Sequence, residues 1–331
     1  MRVVVGTSSG VFVTEGGRQA EGIGSQITRQ IVTCDGALLA AAADGVYRST
    51  DRGESWTRAG IDAGEVWTVG ASPHADGVVY AGTQPAHLFV SHDAGVSWSE
   101  VVSFVETPGA DRWCIPNSSA GARALAFAFD PFDTARLWAG VEVGGVVSSR
   151  DGGAHWTGTW VGPNADVHLL MPHPSKAGVL FATTGYGRND DRPMEPAIAG
   201  PYRSDDGGAT WHYLGDGMRV HYTRPMCVDP RPPHVLTVPG VPDVRSSISD
   251  PDGAQAVLYR SEDDGASWHS LGDAEHSPSA ARFTAVACDP EVPEGVLVGT
   301  ETGEIWRVSA DASWTRVCDG LPAVQALLAL A

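Results

Sequence analysis

Short apolar runs of about four to eight residues, broken by glycine, proline or Asx turns, recur along the whole chain. The segments "VVVGTSSGVFV", "VVYAGTQPAHLFVS", "LWAGVEVGGVVSS" and "VLVGTETGEIWRVS" are each two such runs joined by a tight turn, which predicts β-hairpins. Ahead of most hairpins stands a third run that closes on a proline: "VWTVGASP", "LAFAFDP", "VHLLMPHP", "PMCVDP" and "FTAVACDP". No long stretch keeps the 3.6-residue apolar period of an amphipathic helix. Seven hairpins can be counted, and seven runs of the third kind, from "ITRQIVTC" (27–34) to "VQALLAL" (324–330). The two counts match only if the last run joins the first hairpin. That predicts a ring closed by its two chain ends, which leaves no open sheet edge.

After each hairpin comes a polar packet. "STDRGESW" from Ser49, "SHDAGVSW" from Ser91, "SRDGGAHW" from Ser149, "SDDGGATW" from Ser204 and "SEDDGASW" from Ser261 all fit S-x-D-x-G-x-(S/T/H)-W. A shortened sixth, "SADASW" from Ser309, has lost the glycine. The aspartates Asp51, Asp93, Asp151, Asp206, Asp263 and Asp311 recur at intervals of about 40–60 residues, the self-similarity of a propeller. The expected fold is therefore all-β: one domain over 1–331, a seven-bladed β-propeller with packets in blades 2 to 6 and a degenerate one in blade 7. Within a packet the carboxylate accepts turn N–H groups, the glycine takes a positive φ and the tryptophan buries a large ring. A motif needed in every blade marks scaffold, not one active site.

The five packets resemble Asp boxes (BNR repeats), which occur in sialidases, sortilin-type receptors, xyloglucanases and the photosystem II assembly factor family. The resemblance covers nearly the whole chain and implies the propeller fold, with the Asp box at the turn between the two outer strands and away from the functional face. It implies no single function, since those families hydrolyse sugars, bind peptides or assist assembly. No "RIP"-type segment stands near the N-terminus, a departure from sialidases.

Charge narrows the partners. Forty acidic residues against 22 basic ones give a net charge of −18, and Lys176 is the only lysine. Such a surface repels phosphate backbones, so nucleic acid is not expected as a partner. No apolar stretch is long enough to span a membrane, and "MRVVVGTSSGVFV" reads as a strand, not a signal peptide. Five cysteines (Cys34, Cys114, Cys227, Cys288, Cys318) are scattered without CxxC spacing, which fits free thiols in a cytoplasmic protein.

Unrepeated polar residues on the inner strands carry the candidate chemistry. Eight positions before each closing proline stand Glu65, Arg123, Asp166, Tyr222 and Arg282; six before it stand Trp67, Leu125, His168, Arg224 and Thr284. With a side-chain period of two, both columns point towards the ring axis. The scaffold alone would place small or apolar residues there. Hairpin turns on the same face add Gln84, His87, Glu142 and Glu301. Three long insertions would wall a cleft over blades 3 to 6: 103–122 with Asp111, Arg112, Trp113 and Asn117; 183–202 with Tyr186, Arg188, Asp190, Asp191 and Arg192; and 238–257 with Asp243 and Arg245.

Arginines such as Arg123, Arg224 and Arg282 fit carboxylates, and Trp67 or Trp113 would stack on a sugar. Carboxylates such as Glu65 with Asp166, or Glu142, suit acid–base glycoside hydrolysis. His168, His221 and Tyr222 suit proton abstraction beside a carboxylate that arginine neutralises. The expectation is a hydrolase or lyase acting on a small acidic or sugar-like ligand in the axial cleft, with a noncatalytic binding or assembly propeller as the alternative. No cofactor is expected. A divalent metal held by Asp166, His168 and His221 is the lesser alternative, and the oligomeric state stays open.

Overall fold

The computed structural model describes residues 1–15, 18–24, 26–115, 118–186, 199–243, 251–273 and 275–330. Within them the chain forms seven antiparallel sheets. Blade 1 takes its innermost strand, Val324–Leu330, from the C-terminal end and pairs it with Arg2–Thr7, followed outward by Gly10–Glu15 and Arg18–Gly24. The closure foreseen from the strand counts is thus made by backbone hydrogen bonds between the two ends of the chain. The other inner strands are Thr28–Cys34 (blade 2), Glu65–Ala71 (blade 3), Arg123–Phe129 (blade 4), Val167–Pro172 (blade 5) and Phe283–Cys288 (blade 7). Blade 6 has a split one, Tyr222–Thr223 and Cys227–Val228, both paired with Leu236–Val241. Among the described residues no helix is long and apolar enough to cross a membrane.

The blades are held together by seven buried apolar clusters, one at each blade interface. The one between blades 3 and 4 stacks Tyr80 on Phe127 with ring centroids 4.7 Å apart. Glycine in the second strand of a blade lets the next blade approach. A Cβ on Gly82 would stand 2.7 Å from the Ala124 carbonyl oxygen, and one on Gly299 would stand 2.4 Å from Val324 Cγ1. Neither gap admits a carbon atom, so the "AGT" and "VGT" runs of the sequence are blade-packing signals.

The Asp boxes close the outer turns locally. In blade 5, Ser204 Oγ donates to Asp206 Oδ1 (2.8 Å) and accepts from Gly208 N (2.7 Å). Asp206 also receives the Thr210 N–H at 2.9 Å and the Thr210 hydroxyl at 2.6 Å. Gly208 takes φ +90°, and Trp211 Nε1 donates to its carbonyl at 3.1 Å. Hydrogen bonds from Thr210 and Ser204 hold the Asp206 carboxyl down to about 2.

One irregularity positions the candidate site. In the inner strands of blades 2, 3, 4, 5 and 7 the register slips by one residue, between Thr28 and Gln30, Val66 and Thr68, Ala124 and Ala126, Val167 and Leu169, and Phe283 and Ala285. Each slip is a β-bulge whose extra residue leaves the ladder, which re-aims its side chain. The extra residues are Arg29, Trp67, Leu125, His168 and Thr284. Four of them are the second polar column read from the sequence. In blade 6 the bulge widens to Arg224–Pro225–Met226, where Pro225 has no N–H to continue the ladder.

Candidate functional site

Arg123 and Glu142 are cross-strand partners on blade 4. Arg123 Nη1 donates to Glu142 Oε2 at 2.8 Å, while Arg123 Nε donates to Gln84 Oε1 of blade 3 at 2.9 Å. Gln84 is itself fixed by donating from Nε2 to the Gly121 carbonyl at 3.1 Å. The other carboxylate oxygen of Glu142 lies 3.8 Å from Arg224 Nη2 of blade 6. Arg224 also donates from Nε to the Tyr222 hydroxyl oxygen at 3.0 Å. Protein crowds the Arg224 head, yet its side chain stays 48 % exposed. Burial opposes its charge, but Tyr222, Glu142 and Asp166 outweigh that and hold its pKa above the ordinary arginine value.

Blade 5 contributes Asp166 and His168. His168 is 3 % exposed. Its Nδ1 stands 2.7 Å from the Thr223 carbonyl oxygen, which can only accept, so Nδ1 carries the proton. That leaves Nε2 directed at Asp166 Oδ1, 3.3 Å away, with no hydrogen bond formed by Nε2. Asp166 is set by its backbone: its N–H donates to Asn164 Oδ1 (3.0 Å) and its carbonyl accepts from Gly185 N (3.0 Å). Gly185 must be glycine for this pair to stand, since a Cβ there would lie 2.3 Å from Asp166 Oδ2 and 2.8 Å from His168 Nε2. Glu142, Asp166 and His168 each offer one ligand atom within 4.8 Å of the others, and all three are buried.

Aromatic rings complete this side. Tyr222 meets the His168 ring edge-on at 5.2 Å and stacks with Tyr186 at 5.9 Å. The Tyr186 hydroxyl is buried and unbonded. Burial, with the Asp243 charge adding to it, pushes its phenol up to about 12. On the opposite side Trp67 carries two guanidinium groups, Arg29 at 3.8 Å and Arg123 at 4.2 Å from its ring centroid. Cation–π attraction offsets part of the repulsion between those two cations. Glu65 takes up the rest by accepting from Arg29 at 2.8 Å. Burial lowers the Arg29 pKa, Glu65 counteracts this and the nearby Arg123 adds to the fall.

A continuous belt therefore runs from Glu65 through Arg29, Trp67, Arg123, Glu142 and Arg224 to Tyr222 and His168, spanning blades 2 to 6. Glu65 sits at its far end and outside the Glu142–Asp166–His168 cluster, so the carboxylates brought together are Glu142 and Asp166, not Glu65 and Asp166. Arg282 stays apart on blade 7, where it donates to Glu301 at 2.7 Å. His87 turns away from the axis to pair with Glu100 on the outermost strand of its blade, 2.6 Å apart. Trp113 is half-buried against the core between blades 3 and 4, its centroid 5.1 Å from that of Phe104. Arg112 is exposed on a short 3-10 turn, Ala110–Arg112. His221 is half-buried, with its Nδ1 buried and unbonded. Arg188 lies outside the described residues, as do Asn117, Asp190, Asp191, Arg192 and Arg245.

Arg29 escaped the sequence reading because blade 2 has no closing proline from which to count. Its signal was its place in "ITRQIVTC", three residues into an inner strand. The Thr223 carbonyl and Gly185 left no signal, since their roles arise from contacts between blades.

Residues 202–213, the box of blade 5, match the BNR/Asp-box repeat. No curated protein matches the chain. Among solved structures, an ancestral GH74 enzyme is similar at 17% identity and a TM-score of 0.64, over 88% of this chain and 38% of that one. A GH74 enzyme from Niastella koreensis is similar at 15% identity and 0.65, over 95% and 46%. The chain thus spans less than half the length of either GH74 structure. YCF48 bound to D1 peptide is similar at 14% identity and 0.57, over 87% of this chain and 81% of that one. At such identities the likeness is one of fold.

Proposed function

From its hub we infer that this BNR/Asp-box β-propeller binds a small carboxylate-bearing carbohydrate in the axial cleft over blades 3 to 6, and acts on it as a hydrolase or lyase. The observation that carries this reading is where polar groups stand unsatisfied. Trp67 Nε1, His168 Nε2, Tyr186 Oη, His221 Nδ1 and Thr223 Oγ1 are all buried without a hydrogen-bond partner and belong to blades 3, 5 and 6 at the hub. Elsewhere such atoms are scattered: Arg2 Nε, Asp44 Oδ1, Arg136 Nε and two Arg260 nitrogens. Buried polar atoms left unbonded cost roughly 1–3 kcal/mol each, and a ligand that bonds to them offsets that cost.

Arg224 is the natural anchor for the ligand's carboxylate. It is charged, half exposed and held only loosely by Glu142, so one edge of the guanidinium remains for a charge-assisted bond. Tyr222, beside it, accepts from Arg224 Nε and keeps its own O–H to donate. It is the group placed to give a proton to a leaving oxygen. Trp67, already flanked by arginines, borders the opposite wall. Arg123 acts through Glu142 and Gln84 and positions them.

The second reading, a noncatalytic binding propeller, is supported by one observation: of the three similar structures named, the peptide-bound YCF48 has much of its length matched by this chain, 81%. Calorimetry separates the two. Uronate oligosaccharides are expected to bind and to be cleaved, with neutral sugars of the same size binding at least tenfold more weakly. Binding without product formation favours the second reading, and equal binding of neutral sugars overturns the carboxylate anchor.

A further inference from the structure

We propose that Glu142, Asp166 and His168 form a binding site for a divalent transition-metal cation at the hub, between blades 4 and 5. Three features converge. The ligand atoms come from two neighbouring blades and lie within 4.8 Å of one another, and all three residues are buried. His168, 3 % exposed, presents an unbonded Nε2 to this cluster. Its other nitrogen is committed as a donor to the Thr223 carbonyl, the outer contact that fixes the ring and tautomer of a metal-bound histidine.

The separation of the first two ligand atoms fits a shared ion. Two donors each about 2.1 Å from one cation stand about 3.3 Å apart at a near-tetrahedral angle, and Nε2 and Asp166 Oδ1 are 3.3 Å apart. Glu142 has Oε2 given to Arg123, which leaves Oε1, 3.8 Å from Arg224, without a hydrogen bond from Arg123. It would therefore bind through Oε1 while Arg123 orients the carboxylate. Three protein ligands leave further positions for water or a ligand, the arrangement of a working metal site, not a closed structural one. One imidazole and two carboxylates favour Mn²⁺ or Zn²⁺ over Mg²⁺ and Ca²⁺, which prefer all-oxygen shells. Gly185 is part of the same construction, because any side chain there would fill the space beside Asp166 Oδ2 and His168 Nε2.

The site stands independently of the carbohydrate reading, and its test reads metal alone. MnCl₂ and ZnCl₂ titrated into the chelator-treated full chain should show one saturable site per chain by calorimetry, with a rise in melting temperature. Mg²⁺ and Ca²⁺ should bind at least tenfold more weakly. His168→Ala and Glu142→Gln should each weaken Mn²⁺ binding at least tenfold. Glu142→Gln keeps an oxygen for Arg123 and decides the matter if His168→Ala fails to fold. His155→Ala, which removes an exposed histidine paired with Asp151 on the rim, should leave the affinity unchanged. The proposal is overturned by the lack of any saturable site. Binding that survives both hub substitutions, or disappears with His155, overturns it too.

Discussion

The outer rim and the hub of this ring use the same few polar residue types in opposite ways. At the rim, Asp206 is bonded by Ser204, Ala209 and Thr210, all within four residues of it. At the hub, His168 bonds to Thr223, 55 residues away, and Arg123 to Gln84, 39 residues away. A carboxylate that is satisfied locally can be copied from blade to blade, and the box aspartate is copied; the box tryptophans Trp98 and Trp268 instead donate to Ala59 and Leu214 of the preceding blade. The hub groups, whose partners differ from blade to blade, are not copied. Trp67 Nε1, His168 Nε2, Tyr186 Oη, His221 Nδ1 and Thr223 Oγ1 stand unbonded at the hub, whereas the box carboxylates are fully engaged. Repetition and the unrepeated polar groups occupy separate ends of each blade.

The comparison can be broken most forcefully at Arg123. Its replacement by Ala leaves Glu142, 11 % exposed, without its 2.8 Å partner, and should cost about 2–3 kcal/mol of stability. A chemical-denaturation midpoint close to that of the unaltered chain would show that Arg224 alone can satisfy Glu142. Arg224→Ala comes next. It should lower the affinity for an acidic sugar by about 30-fold, near 2 kcal/mol, with little change in melting temperature. Loss of stability instead of affinity would place Arg224 with the scaffold.

At the rim, Asp206→Ala should cost about 1 kcal/mol, because the carboxylate lies at the surface, and should leave ligand affinity untouched. The same groups set an acid response. The carboxyls of Asp51, Asp151, Asp206 and Asp263 are held down to about 2, and that of Asp93 lower still, chiefly by hydrogen bonds from the Ser, Thr or His before each box tryptophan. A carboxyl depressed in the folded state stabilises the fold above its unfolded pKa and loses that contribution as pH falls. The melting temperature should therefore drop between pH 4 and pH 2, and less steeply in Asp206→Asn. The smallest effect belongs to His87→Ala, under about 0.5 kcal/mol for an exposed pair with Glu100. Unchanged ligand affinity is the expected readout, and a loss would bring His87 back to the cleft.

Much of this could be read from the residues in order. The blade number, the closing role of Val324–Leu330 and the scaffold role of Asp51, Asp93, Asp151, Asp206 and Asp263 follow from runs and turns that are local in the chain. The column of Trp67, His168 and Arg224 was also legible, by counting back from the closing prolines. What brings it to the axis is the bulge at each of those positions, together with plain alternation. Arg29 was hidden for want of a proline to count from. Trp113 and His87 looked like cleft residues because composition does not show which way a side chain turns. Phe104 and Gly144 draw the Trp113 ring against the core, and Glu100 draws His87 outward.

The sequence by itself determined what can be settled within a few residues: strand alternation, turn chemistry, the self-bonded boxes and the apolar strand that closes the ring. Only the tertiary structure decided which of the inner-strand polar groups meet. Glu142, Asp166, His168 and Arg224 come from three blades, and their distances depend on how seven twisted sheets pack around one axis. That packing is fixed by contacts between residues far apart in the chain, where no local pattern can report it.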